Sequence, residues 1–171
     1  MNDAEHPGHD QQPGDAEVIV EQGEWGEAEG PQKIETLGLG TCIGVATYDP
    51  YKKHGHMAHF QAPKTLEQRM VTEFLDSVTH SASATDNLRV WLRGGQLVPD
   101  PEMIIEAREN REYLLDAIEA AGIQPSQIDI HWDTSDVTST SISLDCSTGE
   151  FHDFSTEPDE NRWPSDDSYD Y

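Results

Sequence analysis

A single α+β domain with acidic, flexible tails is the architecture this 171-residue sequence predicts, on three observations. Short β-branched and aromatic runs separated by Gly and Pro clusters fill the N-terminal half. Two later stretches carry apolar residues at helical spacing, and the chain ends are nearly stripped of apolar side chains. Strands first, then strands and helices mixed, argue for mixed or antiparallel β-sheets packed with two main helices.

Residues 1–15 are His, Gly, Pro, Gln and Asp with almost nothing apolar, and are expected to be a solvated tail. Glu17 to Val20 can form a short strand, but the Gly/Glu-rich stretch from Gln22 to Gly30 breaks any pattern, so the compact part is expected to begin near Lys33. The resulting division is an acidic N-terminal segment 1–31, a domain 32–155 and an acidic tail 156–171. Ile34 to Leu37, Cys42 to Tyr48 and His56 to Phe60 read as strands separated by glycine-rich and Asp-Pro turns. A first helix is expected from Thr65, whose spacing to Gln68 resembles a capping box, with Leu66, Met70, Phe74, Leu75 and Val78 on one stripe. A second has Asp100 as N-cap and Pro101 in its first turn, carries Ile104, Ile105, Leu114, Leu115 and Ile118, and stops at Gly122. Leu88 to Leu92, Ile128 to Trp132, Thr140 to Leu144 and Glu150 to Phe154 complete the strands, with Ser147-Thr148-Gly149 as a hairpin turn.

Charge narrows the function classes. The chain holds 34 acidic residues against 10 basic ones, a formal charge of −24. Setting both ends aside still leaves 19 acidic against 9 basic residues between Lys33 and Thr156, so the acidity is global. Such a surface repels phosphate backbones, which excludes nucleic acid as the expected ligand. With only four lysines, it resembles a protein of a salt-accumulating halophile, in which molar ions shorten the Debye length to about 3 Å. No run reaches the roughly 18 apolar residues of a spanning helix and the first residues lack a signal-peptide pattern, so a cytoplasmic protein is expected. Two cysteines about a hundred residues apart do not make a disulfide scaffold.

The chemically informative stretch is Thr36-Leu-Gly-Leu-Gly-Thr-Cys42, continuing through Tyr48-Asp49-Pro50 to His56-Met-Ala-His59-Phe60. A thiol that follows a glycine-rich turn and opens a strand can sit beside exposed backbone amides, with a histidine elsewhere in the fold as its base. A buried cysteine more often serves as a small apolar filler, and that is the default for Cys146. The spacing favours chemistry at Cys42: the stretch resembles the chemoreceptor glutamine deamidase family CheD. Its signature is a Thr-Leu-Gly-Leu-Gly-Ser-Cys turn, a strand ending in Tyr-Asp-Pro and a Gly-Gly-Met-x-His-Phe strand. Looser likeness continues through Leu88 to Gly95, Asn110 to Ile123, Ile128 to Asp133 and Leu144 to Gly149, so it covers about residues 33–154. The chain departs from the pattern at Thr41, usually Ser, and at His56, usually Gly. A Gly-Gly-x-x-Gly-Arg segment is replaced by Thr134-Ser135-Asp136-Val137-Thr138.

The resemblance implies a CheD-like domain in which Cys42 is the nucleophile, His59 the base and Thr36 the group orienting the imidazole. Backbone amides around Gly40 and Thr41 are then candidates for holding the oxyanion. It implies no metal or organic cofactor, chemoreceptor (methyl-accepting protein) helices as partner and substrate, and a CheC-like phosphatase as a possible second partner. Two other readings compete. One is a catalytically silent interaction or structural protein of the same fold, accessory or virus-encoded in a halophile, favoured by the lost Gly/Arg segment and the long tails. The other is a zinc-binding domain using His54-x-His56-x-x-His59 with Cys42. Strand alternation opposes it by placing His54 and His56 on one face and His59 on the other, unless a bulge intervenes. Histidines 6, 9, 80, 131 and 152 show no partner pattern and are expected at the surface.

Overall fold

Nine strands and two helices were located in a computed structural model of the chain, which describes residues 17–62, 66–97, 99–134 and 139–156. The strands are β1 (Glu17–Ile19), β2 (Trp25–Glu29), β3 (Lys33–Thr36), β4 (Ile43–Asp49), β5 (His54–Phe60), β6 (Arg89–Gly94), β7 (Ile128–Trp132), β8 (Ser139–Asp145) and β9 (Glu150–Thr156). The helices are α1 (Gln68–Ser81) and α2 (Pro101–Ala120). Strands β2-β5-β4-β6-β7 form a five-stranded sheet, antiparallel except for the β6–β7 pair, and β1-β3-β8-β9 form a four-stranded sheet with β1 and β3 parallel. The α+β class and the mixed sheets packed with two helices are as expected.

The five-stranded sheet is the middle layer, which explains why every residue of β4 is buried. One face, through Ile43, Val45, Ala58, Phe60, Val90 and Leu92, packs on Phe74, Leu75 and Val78 of α1 and Leu114 and Ile118 of α2. The other, through Ala46, Tyr48, Met57 and Trp91, meets Ile34, Ile142 and Leu144 of the four-stranded sheet. Side chains on one strand therefore alternate between two cores, and a functional residue's face decides which core it belongs to.

The Tyr-Asp-Pro turn has a structural role. Asp49 accepts from the Ser83 amide at 2.6 Å and from the Tyr51 amide at 3.0 Å, tying the β4–β5 turn to the end of α1. Burial alone would raise its pKa, but these donors outweigh that and hold it below the ordinary value.

Several expectations are corrected. Strands form upstream of the start expected near Lys33: β1 pairs with β3, and β2 forms in the Gly/Glu-rich stretch and pairs with β5 from Trp25↔Ala58 to Glu29↔His54. As an edge strand β2 buries only Ala28 fully and packs Trp25 partly on the helix-side core, while Glu27 and Glu29 stay exposed, so its composition reads as a loop. Helix α1 begins at Gln68 with Glu67 as N-cap and no capping side chain, while Thr65 lies outside the described residues. Helix α2 starts and stops where expected, with Asp100 accepting from the amides of Glu102 and Met103, but Ile105 is 58% exposed. Its inner face is Ala107, Asn110, Leu114 and Ile118. Histidines 80, 131 and 152 are exposed, Cys146 is buried, and residues 1–16, 135–138 and 157–171 lie outside the described residues.

Candidate active site

Residues 37–42 carry the chain from the last residue of β3 in one sheet to the first residue of β4 in the other. Gly38 and Gly40 take positive φ, +65° and +52°, which a glycine adopts without strain. The turn is pinned on both sides. The Leu39 amide donates to Thr140 O at 2.8 Å and the Gly38 amide to Ser141 Oγ at 3.0 Å, both on β8. From the end of β6 the Gly95 amide donates to Cys42 O at 2.7 Å and the Gln96 amide to Gly40 O at 3.1 Å. Thr41 Oγ1 donates to Ala62 O at 2.8 Å, a tie that needs a hydroxyl and tolerates the added methyl.

Thr36 ends β3 with its side chain fully buried, opposite His59 on β5 in the facing sheet. Its Oγ1 lies 2.6 Å from Val20 O and 2.7 Å from His59 Nδ1. A hydroxyl has one proton to give, and a carbonyl oxygen accepts only. The Thr36 proton is therefore committed to Val20, the hydroxyl oxygen accepts from His59 Nδ1–H, and neutral His59 carries its proton on Nδ1. That tautomer is assigned from the bonding pattern. Its Nε2 then has a bare lone pair, and that atom is buried with no hydrogen-bond partner among the described residues. Burial lowers the His59 pKa below 6.5, so the ring is neutral near pH 7. The backbone of His59 is also held by the two residues that lead into β2, its amide donating to Glu24 O at 2.9 Å and its carbonyl accepting from the Gly23 amide at 2.8 Å.

Cys42 lies at the mouth of the turn, 7% exposed and in the same intersheet core. Burial raises its pKa, partly offset by a hydrogen bond from the Ala62 backbone, so the resting group is a thiol. The structure thus brings Thr36 and His59 into contact and places Cys42 in the same layer, with no hydrogen bond between its sulfur and His59 Nε2. Of the amides proposed for an oxyanion, those of Gly40 and Thr41 have no acceptor among the described residues. The amide of Cys42 itself is committed to Leu39 O at 2.6 Å.

Other residues of the site escaped sequence reasoning. The Val20 carbonyl that orders the Thr36 hydroxyl is a backbone group with no sequence signature. Gly94 and Gly95, both at positive φ, let β6 close on the turn: a Cβ on Gly94 would overlap Cys42 O and lie 2.8 Å from Leu39 Cβ. A glycine pair ending a strand was the available signal. His54 and His56 lie on the helix-facing side of β5 and His59 on the intersheet side, so the cluster of all three with Cys42 does not form.

Curated proteins similar to this chain include several that bear the name probable chemoreceptor glutamine deamidase CheD. The protein of Desulforamulus reducens is 40% identical over 60 residues, 35% of this chain and 36% of that one. That of Methanococcus maripaludis strain C5 is 29% identical over 127 residues, 67% of this chain and 82% of that one. That of Methanococcus vannielii is 28% identical over 122 residues, 64% and 79% of the two chains. The first match therefore spans about a third of its relative's length and the two methanococcal ones about four-fifths. No protein-family model matches the chain. Among solved structures, YlmD of Geobacillus stearothermophilus is similar over 70% of this chain and 60% of its own at TM-score 0.48 and 10% identity. At that level the likeness carries no functional information.

Proposed function

This chain is a divergent member of the CheD family, and on that premise we propose that it is a protein-glutamine deamidase of chemotaxis, acting on chemoreceptors with Cys42 as nucleophile. The observation that carries the reading is the Thr36–His59 hydrogen bond, which leaves the His59 Nε2 lone pair bare in the layer that holds Cys42. His59 Nε2 takes the thiol proton as Sγ attacks the carboxamide carbon of a glutamine side chain. The Gly40 and Thr41 amides donate to the resulting oxyanion. The proton on Nε2 passes to the nitrogen, ammonia leaves, and a thioester remains. Water then gives a proton to Nε2 and its oxygen to the acyl carbon, and the thiolate departs and is reprotonated, leaving glutamate. Thr36 does not touch substrate; it positions His59. A cytoplasmic location, a salt-rich cell and association with a CheC-like phosphatase belong to the same proposal.

A second reading, a catalytically silent interaction protein of the same fold, is favoured by one observation: the Cys42 thiol is buried and not hydrogen-bonded to the imidazole. Catalysis requires substrate binding to bring Sγ and Nε2 within about 3–3.5 Å, and contacts of this kind commonly tighten only when substrate is present. Intact-mass analysis of a glutamine-bearing receptor segment, incubated in high salt with wild type and with Cys42→Ala, separates the two. A gain of about one mass unit per glutamine with wild type alone supports the deamidase. No gain with any receptor segment favours the silent protein.

A further inference from the structure

On the helix-facing side of the five-stranded sheet, away from the thiol, Glu27, His54 and His56 bring one ligand atom each to within 4.8 Å of one another. Register explains the convergence. Glu27 on β2 is directly opposite His56 on β5, and His54 is two residues from His56, so all three project from one face of an antiparallel pair. Glu27 Oε1 lies 2.9 Å from His54 Nε2 and 3.5 Å from His56 Nε2, and the two imidazole centroids are 4.8 Å apart. A tetrahedral ion bound at about 2.0–2.1 Å needs ligand atoms about 3.3 Å apart, which these spacings approach without backbone movement.

We propose that Glu27, His54 and His56 form a binding site for a borderline first-row divalent cation such as Zn²⁺, with two imidazole nitrogens and one carboxylate oxygen as protein ligands. The donor set suits that class; Mg²⁺ and Ca²⁺ favour all-oxygen shells. Burial differs across the site in the required direction: His56 is 3% exposed, His54 18% and Glu27 50%, so two imidazoles form the floor and the acid closes the solvent side. His56 is held by a stack on Trp25 and by an edge contact with Phe74. Its Nε2 lies 2.9 Å from Ser77 Oγ, and binding would replace that bond and leave Ser77 as partner of a water in the fourth position. The net charge of −24 raises the local cation concentration. The ion would clip edge strand β2 to β5, next to Gly23 and Glu24, which hold the His59 backbone. None of this depends on the deamidase reading.

The test uses the full chain, stripped with chelator and titrated with Zn²⁺, and with Co²⁺ for its visible spectrum. One equivalent per chain is expected, with Zn²⁺ raising Tm and Mg²⁺ leaving it unchanged. Substituting His6 and His9 of the tail by alanine should leave this binding intact. Glu27→Gln and His54→Ala, chosen because neither residue is deeply buried, should each weaken it at least tenfold. A readout that needs no variant is imidazole NMR of wild type, in which Zn²⁺ should move the His54 and His56 signals and spare His59. Absence of a retained ion, retention undiminished in both variants, or loss of binding on Cys42→Ser overturns the proposal.

Discussion

Replacing Thr36 by valine preserves shape and removes the hydroxyl on which the His59 tautomer depends. Thr36 is fully buried and His59 is 3% exposed, so water does not replace the lost bonds. Two groups are orphaned, the Val20 carbonyl and His59 Nδ1–H, whose partners now stand at 2.6 and 2.7 Å. At about 1–3 kcal/mol for each unsatisfied buried group, the loss is about 2–6 kcal/mol, a large share of the 5–15 kcal/mol typical of a domain. Denaturant melts in high salt read that loss, and Thr36→Ser, which keeps the oxygen, should recover most of it. The tautomer has its own readout. In wild type at pH 8 the ¹⁵N spectrum of His59 should show a protonated Nδ1 and a bare Nε2, and Thr36→Val should release that preference. If the deamidase reading holds, kcat falls by about 10²–10⁴, between the worth of one acid–base group and that of a lost tautomer-setting partner in a serine protease triad. A wild-type His59 protonated on Nε2, or a valine variant with unchanged tautomer and stability, refutes the reasoning.

Gly94→Ala puts a Cβ into the Cys42 carbonyl at a φ of +82°, and should cost at least about 2 kcal/mol in urea melts and displace the turn. The folded-state pKa of His59 is depressed below 6.5, so the folded chain binds fewer protons than the unfolded one. Its contribution to stability is fully present above about pH 6.5 and drains away as the pH falls through the folded value, a slope that His59→Gln should reduce in melts from pH 8 to 5. Burial, aided by Asp145, pushes Cys146 from 9 up to about 11, which cuts its thiolate fraction at pH 7 about a hundredfold. Iodoacetamide mapping should therefore find Cys146 alkylated about a hundredfold more slowly in the native than in the unfolded chain, with Cys42 also slowed by its burial. A charge of −24 makes self-repulsion substantial, so raising salt from 0.1 to 1 M, which shortens the Debye length from about 10 to 3 Å, should raise Tm.

The residues of the Thr36–Cys42 turn and His59 were legible because the turn's chemistry is local: glycines at positive φ and a thiol opening a strand leave a pattern in consecutive residues. Helix α2 was legible for the same reason, since Asp100, Pro101 and Gly122 act on neighbouring backbone. Strand β2 was not, because an edge strand buries one face and takes its stability from β5, not from its own composition. Ile105 misled because an apolar residue at helical spacing need not meet a partner. Strand alternation alone separated His59 from His54 and His56, a prediction of pleat geometry that needs no tertiary contact. Only the tertiary structure decided what each face meets. Thr36 reaches His59 because two sheets stack, the Val20 carbonyl sets the tautomer because β1 leads it there, and Glu27 joins the two imidazoles because β2 pairs in that register. Those contacts join residues 16 to 29 positions apart in the chain, a separation at which local propensity carries no information and packing alone chooses the partner.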